Sequence, residues 1–255
     1  MGVTLAIGLV GCGGSSSGGS ASSGTDESSD SVANEPIYVV SKSVMYAPDG
    51  TEMSVNEYAY DEQGRATSWR TVSAGNGSNG GMERTWEYSD FTPEGYYQKM
   101  SASDGVEATL KYTIENGRVM KVEYDNGQTV EHERYDSGSI KSTTQASEQS
   151  TVVVEYDENG YQTSYTYTPK QSSGGVETKV AYEWTFDEAG KPVSCVKGDA
   201  AAGADAKQER AIECDDAGNI VKVTDSDGNL LVEFEYTKID DPCDARLYNE
   251  VKAAI

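Results

Sequence analysis

Few residues in this 255-residue chain have the type and spacing to do chemistry. His132 is the only histidine and lies between Glu131 and Glu133. A two-histidine metal site is therefore excluded, and any Ser-His-Asp arrangement would have to use that one ring. Paired carboxylates for glycoside hydrolysis need a set separation that sequence does not fix. Most of the 43 Asp and Glu residues, however, recur at turn positions where a structural use accounts for them. The stretch Asp225-Ser226-Asp227-Gly228-Asn229 approaches a calcium loop, but Val223 stands where the EF-hand pattern needs its first Asp. There is no phosphate-binding glycine loop and no Cys-x-x-Cys pair. The chain is read as a non-enzyme with no catalytic residues, no cofactor and no metal ligands.

Two other groups of residues are candidate sites. Cys195 and Cys214 share the apolar sides of their strands with Val193 and Ile212, and the Ala/Gly-rich segment 198–207 lies between them. A cross-strand disulfide is one reading and two small buried thiols the other; a bond closing this loop would contribute about 3 kcal/mol. Cys243 would remain unpaired or compete for Cys214. Among the aromatic residues, regular alternation points to a packed layer. Tyr96, Tyr97 and Tyr161, next to turns, are the candidates for stacking on a ligand such as a sugar ring.

The elements that must position these residues announce themselves as a repeat. Tyr58-Ala59-Tyr60-Asp61-Glu62-Gln63-Gly64 is the clearest copy. It is matched by Val154-Glu155-Tyr156-Asp157-Glu158-Asn159-Gly160, by Trp184 to Gly190 and by Ile212 to Gly218. Looser copies end at Gly95, Gly117 and Gly138, so the turn glycines are spaced by 31, 22, 21, 22, 30 and 28 residues. Aromatic and β-branched residues favour strands, while Asp, Asn and Gly favour tight turns. Apolar residues alternate with polar ones, as in Leu230, Val232, Phe234 and Tyr236 against Glu233 and Glu235. Each copy reads as strand, turn, strand, which predicts about 14 to 16 antiparallel strands from residue 36 to 239.

On these residues the chain resembles the YD-repeat (RHS-like) proteins, over roughly residues 44 to 236. The carrying positions are Tyr58, Tyr60, Asp61, Gly64 and Arg65, then Tyr156, Asp157 and Gly160. The resemblance implies a long β-sheet that spirals, in proteins that are often secreted or surface-attached. This chain is short for a closed shell, so the expected fold is all-β, an antiparallel meander forming a curled sheet or barrel-like wrap (34–240).

The flanking segments read differently. Residues 1–11 are apolar and small and end in Leu9-Val10-Gly11-Cys12, which resembles the lipobox of bacterial lipoproteins. That resemblance implies cleavage before Cys12 and attachment of two acyl chains there, enough for stable membrane anchoring. Residues 12–33 are rich in Gly and Ser and read as a flexible tether with a reach of roughly 25 Å. Asp241-Pro242 reads as a helix start, and residues 241–255 as a short helix covering the sheet edge.

Composition narrows the function. A net charge of -23 repels nucleic acid. Leu, Ile, Val and Phe make up only 40 residues, but 17 Tyr and 3 Trp supply further surface to bury. The expectation is an extracytoplasmic, lipid-anchored binding or interaction module for a glycan or a surface protein. The alternatives are a non-catalytic envelope spacer or assembly subunit and, less favoured, a carboxylate-dependent polysaccharide hydrolase.

Overall fold

The computed structural model describes residues 37–74, 81–170, 175–199 and 207–239. The expected signal peptide, the lipidated Cys12, the tether, Cys243 and the C-terminal helix lie outside these residues.

Sixteen antiparallel strands follow one another as an uninterrupted meander. The first eight are β1 (Ile37–Tyr46), β2 (Glu52–Tyr60), β3 (Ala66–Ser73), β4 (Met82–Phe91), β5 (Tyr97–Ala102), β6 (Glu107–Glu115), β7 (Arg118–Tyr124) and β8 (Thr129–Arg134). The remainder are β9 (Ile140–Ala146), β10 (Ser150–Tyr156), β11 (Gln162–Pro169), β12 (Thr178–Phe186), β13 (Pro192–Asp199), β14 (Gln208–Cys214), β15 (Ile220–Asp225) and β16 (Leu230–Ile239). Strand β1 pairs with β16, from Ile37 opposite Ile239 to Met45 opposite Val232, and closes the sheet into a barrel. The expected wrap is thus complete, and both edges that could have recruited foreign strands are joined to each other.

The alternation in the sequence becomes an inside and an outside. One face carries three hydrophobic clusters. The first centres on Trp86, Met100, Leu110, Val122 and Tyr124, and the second on Val40, Cys195, Ile212, Val223, Val232 and Phe234. Ile140 and Tyr156 form the third. The opposite face carries cross-strand ion pairs such as Arg70 with Glu57 and Glu83, Lys121 with Glu131, Lys141 with Glu133 and Lys222 with Glu213. In a closed sheet the buried face is the enclosed one, so the charges lie outside. A transmembrane barrel shows the reverse, apolar outward and polar inward. No helix among the described residues is long and apolar enough to cross a membrane.

Because the meander alternates direction, every second connection lies at the same end. The connections 61–65, 92–96, 116–117, 135–139, 157–161, 187–191 and 215–219 all lie at one end, here called the repeat end, where β1 begins and β16 finishes. The other connections lie at the mouth. Three of these, 74–81, 170–177 and 200–207, are eight residues long. They fall within the glycine spacings of 31, 30 and 28 residues. The irregular period in the sequence is therefore a regular repeat at one end with longer connections inserted at the other.

Candidate binding site

The repeat end is built by one local device. In the turn at Asp157, the backbone N–H of Asp157 donates to Tyr161 O at 2.9 Å and that of Gly160 to Asp157 O at 3.0 Å. Gly160 has φ 83°, a conformation that glycine adopts without penalty. The carboxylate of Asp157 then accepts the N–H groups of Asn159 and Tyr161 at 3.0 and 2.8 Å. Asp61 and Asp187 do the same in their own turns, and Asp215 accepts from the N–H and Nδ2 of Asn219. The extra residue beside each glycine forms a bulge, visible as a register shift between Glu155 and Tyr156. The connection 116–117 differs: Asn116 and Gly117 both have positive φ, as a two-residue hairpin turn requires.

The bulge swings the residues after each glycine inward. Ala66, Tyr96, Val119, Ile140, Tyr161, Gln162, Pro192, Asn219 and Ile220 are all buried. It also leaves the carbonyl two positions after the glycine free to accept from the adjoining strand. Tyr112 Oη donates to Tyr97 O at 2.7 Å, Arg134 Nη2 to Val119 O at 2.9 Å, Trp184 Nε1 to Gln162 O at 2.8 Å and Tyr236 Oη to Ile220 O at 2.7 Å. Cys214 fills this place in its own repeat, its Sγ donating to Pro192 O at 3.6 Å.

The mouth is unlike this. Met45, Met53, Met82, Val106 and Val176, all near its rim, are exposed, Met82 to 61% and Val176 to 82%. Met45, Ser54, Ser73 and Met82 form one cross-strand row on the enclosed face. Sixteen strands close a circle wider than wall side chains alone can fill, and the arc from β9 to β12 reflects this. Its inward residues Gln145, Val152, Tyr165 and Tyr167 are only half-buried.

Inside the mouth, the β12–β14 wall sets Trp184 opposite Cys195, Cys195 opposite Arg210, and Tyr182 opposite Lys197. A cavity of about 300 Å³ lies beside it, lined by Lys207, Gln208, Glu209, Arg210, Asp225, Ser226 and Leu231. A second, of about 500 Å³, opens at the repeat end beside the β1–β16 seam, against Ser41, Tyr58, Tyr60, Asp61, Glu62 and Lys238. Burial pushes the Cys195 thiol up to about 11 against the opposing pull of Arg210, so it is a neutral, inert thiol at physiological pH. Burial, helped by the Arg134 charge, pushes His132 down to about 4; its ring is neutral and lies 3.0 Å from Thr143 Oγ1.

Several sequence expectations need correction. Cys195 and Cys214 are not bonded to each other. Cys195 faces Arg210, which places Cys214 four residues further along β14. That is roughly 14 Å of strand, about twice the Cα separation a disulfide spans. Their symmetry about the Ala/Gly segment was offset from the true hairpin centre. Tyr96 and Tyr161 do not offer a surface for stacking. Tyr96 packs on Tyr112 at 5.3 Å between ring centroids, and Tyr161 on Trp184 and Phe186 at 4.9 Å each. Tyr97 is half-buried and stacks on Tyr88 at 4.1 Å. The bulge after each glycine is the physical reason, because it turns what looks like a loop residue into the interior. The oxygens of Asp225 serve its own turn, accepting from the backbone of Asp227 and Asn229 and from Asn229 Nδ2. Arg210 escaped the sequence reading. Its signal was a charge at an apolar parity, two positions before Ile212.

No protein-family model matches the chain, and no curated protein matches it. Among solved structures, the TcdB2-TccC3-TEV structure aligns with 76% of this chain and 13% of its own, at 14% identity and a TM-score of 0.39. TcdB2-TccC3 without its hypervariable C-terminal region gives 69%, 10%, 14% and 0.35. A porin-like protein from Bacteroides uniformis gives 78%, 98%, 12% and 0.39. The chain spans about an eighth of the first of these and a tenth of the second. At such identities and scores the likeness carries no functional argument. The chain's own geometry is a closed barrel of β-hairpin repeats with a charged outer face, its repeat turns followed by buried residues at one end and aromatic, thiol and cationic side chains lining it towards the other.

Proposed function

We propose that this chain is a non-catalytic binding module of the cell envelope, held by a lipid anchor and presenting its mouth to a glycan or surface protein. The observation that carries this reading is the inequality of the two ends. The repeat end spends its side chains on closing itself. The mouth leaves inward methionines and tyrosines exposed and holds the longer connections. Since β1 starts at the repeat end, an anchor attached through residues 12–36 joins there and the mouth faces away from the membrane. The charged outer wall suits a barrel that stands in water rather than in lipid. A neutral His132 and an inert Cys195 offer no ready acid, base or nucleophile.

Two measurements test it. Metabolic labelling with radioactive palmitate should mark the full chain and not Cys12→Ser. The Cys12→Ser chain should bind envelope fractions or arrayed glycans, and Met45→Asp with Met82→Asp should reduce that binding while leaving the thermal midpoint unchanged. Absence of labelling sinks the anchor. Absence of binding in every fraction leaves a structural spacer as the correct reading.

A further inference from the structure

We propose that the cavity at Arg210 is a site for a carboxylate-bearing sugar, of the uronic acid type. This rests on the binding-module reading above and names the chemistry one part of the mouth would recognise.

Arg210 is the observation that demands explanation. It is on the enclosed face, opposite Cys195 in β13 and Asp225 in β15. Its Nη1 is buried and has no hydrogen-bond partner. Arg84 and Arg134 each also bury an Nε without a partner, but Arg84 pairs with Asp104 and Arg134 donates to the carbonyls of Gly138 and Val119, while Arg65 pairs with Asp61 and Arg70 with Glu57 and Glu83. Arg210 makes no ion pair among the described residues. Asp225, its opposite number, has its carboxylate committed to the turn at 225–229. A half-buried guanidinium with no ion-paired carboxylate among the described residues is costly, and burial lowers the affinity of Arg210 for its proton.

The cavity is where a counter-charge would enter. Its volume of about 300 Å³ is at the lower end of small-ligand sites, suited to a single ring. Lys207 lines its edge while pairing with Glu183 at 3.6 Å, and Leu231 adds an apolar surface. Glu209 and Asp225 also line it, so an anion enters only where the attraction of Arg210 outweighs their repulsion. The Arg fork holds a carboxylate through two parallel hydrogen bonds, a geometry that a lysine lacks. Tyr182, half-buried and next to Arg210 on the same wall, offers a ring on which a sugar face can stack.

The test is a calorimetric titration of the Cys12→Ser chain with galacturonate, galactose and acetate. Galacturonate should bind in the millimolar range, with galactose and acetate each at least about tenfold weaker, since one lacks the charge and the other the ring. Arg210→Gln should weaken galacturonate about tenfold or more, and Arg210→Lys should restore only part of it. Because Arg210 makes no ion pair among the described residues, Arg210→Gln should not lower the thermal midpoint, which separates loss of the site from loss of the fold. Equal binding of all three ligands, no binding of galacturonate, or full affinity in a folded Arg210→Gln chain would each overturn the proposal. If Arg210→Gln also leaves binding to envelope fractions intact, the module reading stands and only this site falls.

Discussion

The two ends of this barrel are made from the same hairpins and spend their residues differently. At the repeat end, six of seven connections have five residues, and all seven place a positive-φ glycine within two residues of a buried side chain. Val119 and Ile140, both 1% exposed, show how completely that end is filled. At the mouth the connections range from three to eight residues, and apolar side chains on the rim remain in water. Uniform turns make uniform bulges, and uniform bulges turn successive side chains onto one another. Where connection length varies, no such uniform layer forms, and inward residues such as Tyr165 and Tyr167 are only half-buried.

The largest expected effect breaks this comparison directly. Ile140→Ala, at the repeat end, should cost about 2–5 kcal/mol. Met82→Ala, at the rim, should stay within about 0.5 kcal/mol. Urea denaturation of both variants measures the difference, and equal losses would mean that the mouth is as tightly packed as the repeat end.

Next in size is a pH effect from His132, in the wall between the ends. Its folded-state value near 4 lies below the ordinary 6.5, so the unfolded chain takes up the proton first. Stability is therefore complete above about pH 6.5 and declines as the pH falls towards 4, by up to about 3 kcal/mol. Chemical denaturation at several pH values should show this decline, and His132→Gln should flatten it between pH 4 and 6.5. An unchanged slope in the variant would move the acid sensitivity to other groups.

A smaller contrast concerns the turns. Asp157→Ala removes the acceptor of two backbone N–H groups and should cost about 1–2 kcal/mol. Ser147→Ala, at a mouth turn, removes acceptance at 3.2 Å from Gln149 and Ser150 and should cost less. A reversed order in thermal midpoints would remove the special standing of the repeat turns. The smallest effect belongs to the outer wall. Lys141→Ala, which breaks an exposed pair with Glu133, should leave the midpoint unchanged at moderate salt.

Much of the fold was legible because its signals are local. Alternation around Tyr182, Trp184 and Phe186 marks a strand wherever it packs, and Asp-x-x-Gly specifies the turn that Asp157 builds. The candidate site was harder to read. Tyr96 and Tyr161 follow a glycine and look like loop residues, yet the bulge drives them inside. Cys195 and Cys214 look matched, but a two-strand register shifted by four residues separates them. Arg210 reads as one more surface charge until its neighbours enclose it.

By itself, then, the sequence determined the strands, their polar and apolar sides and the turn that ends each repeat, because these depend on residues close in the chain. Only the tertiary structure decided that β1 meets β16, that the apolar side is the inside, and that Arg210 lies on the enclosed face with no ion pair among the described residues. Closure and burial depend on partners up to some two hundred positions away, such as Ile37 and Ile239. No local pattern encodes that register, since it is set by the sum of all sixteen strand pairings.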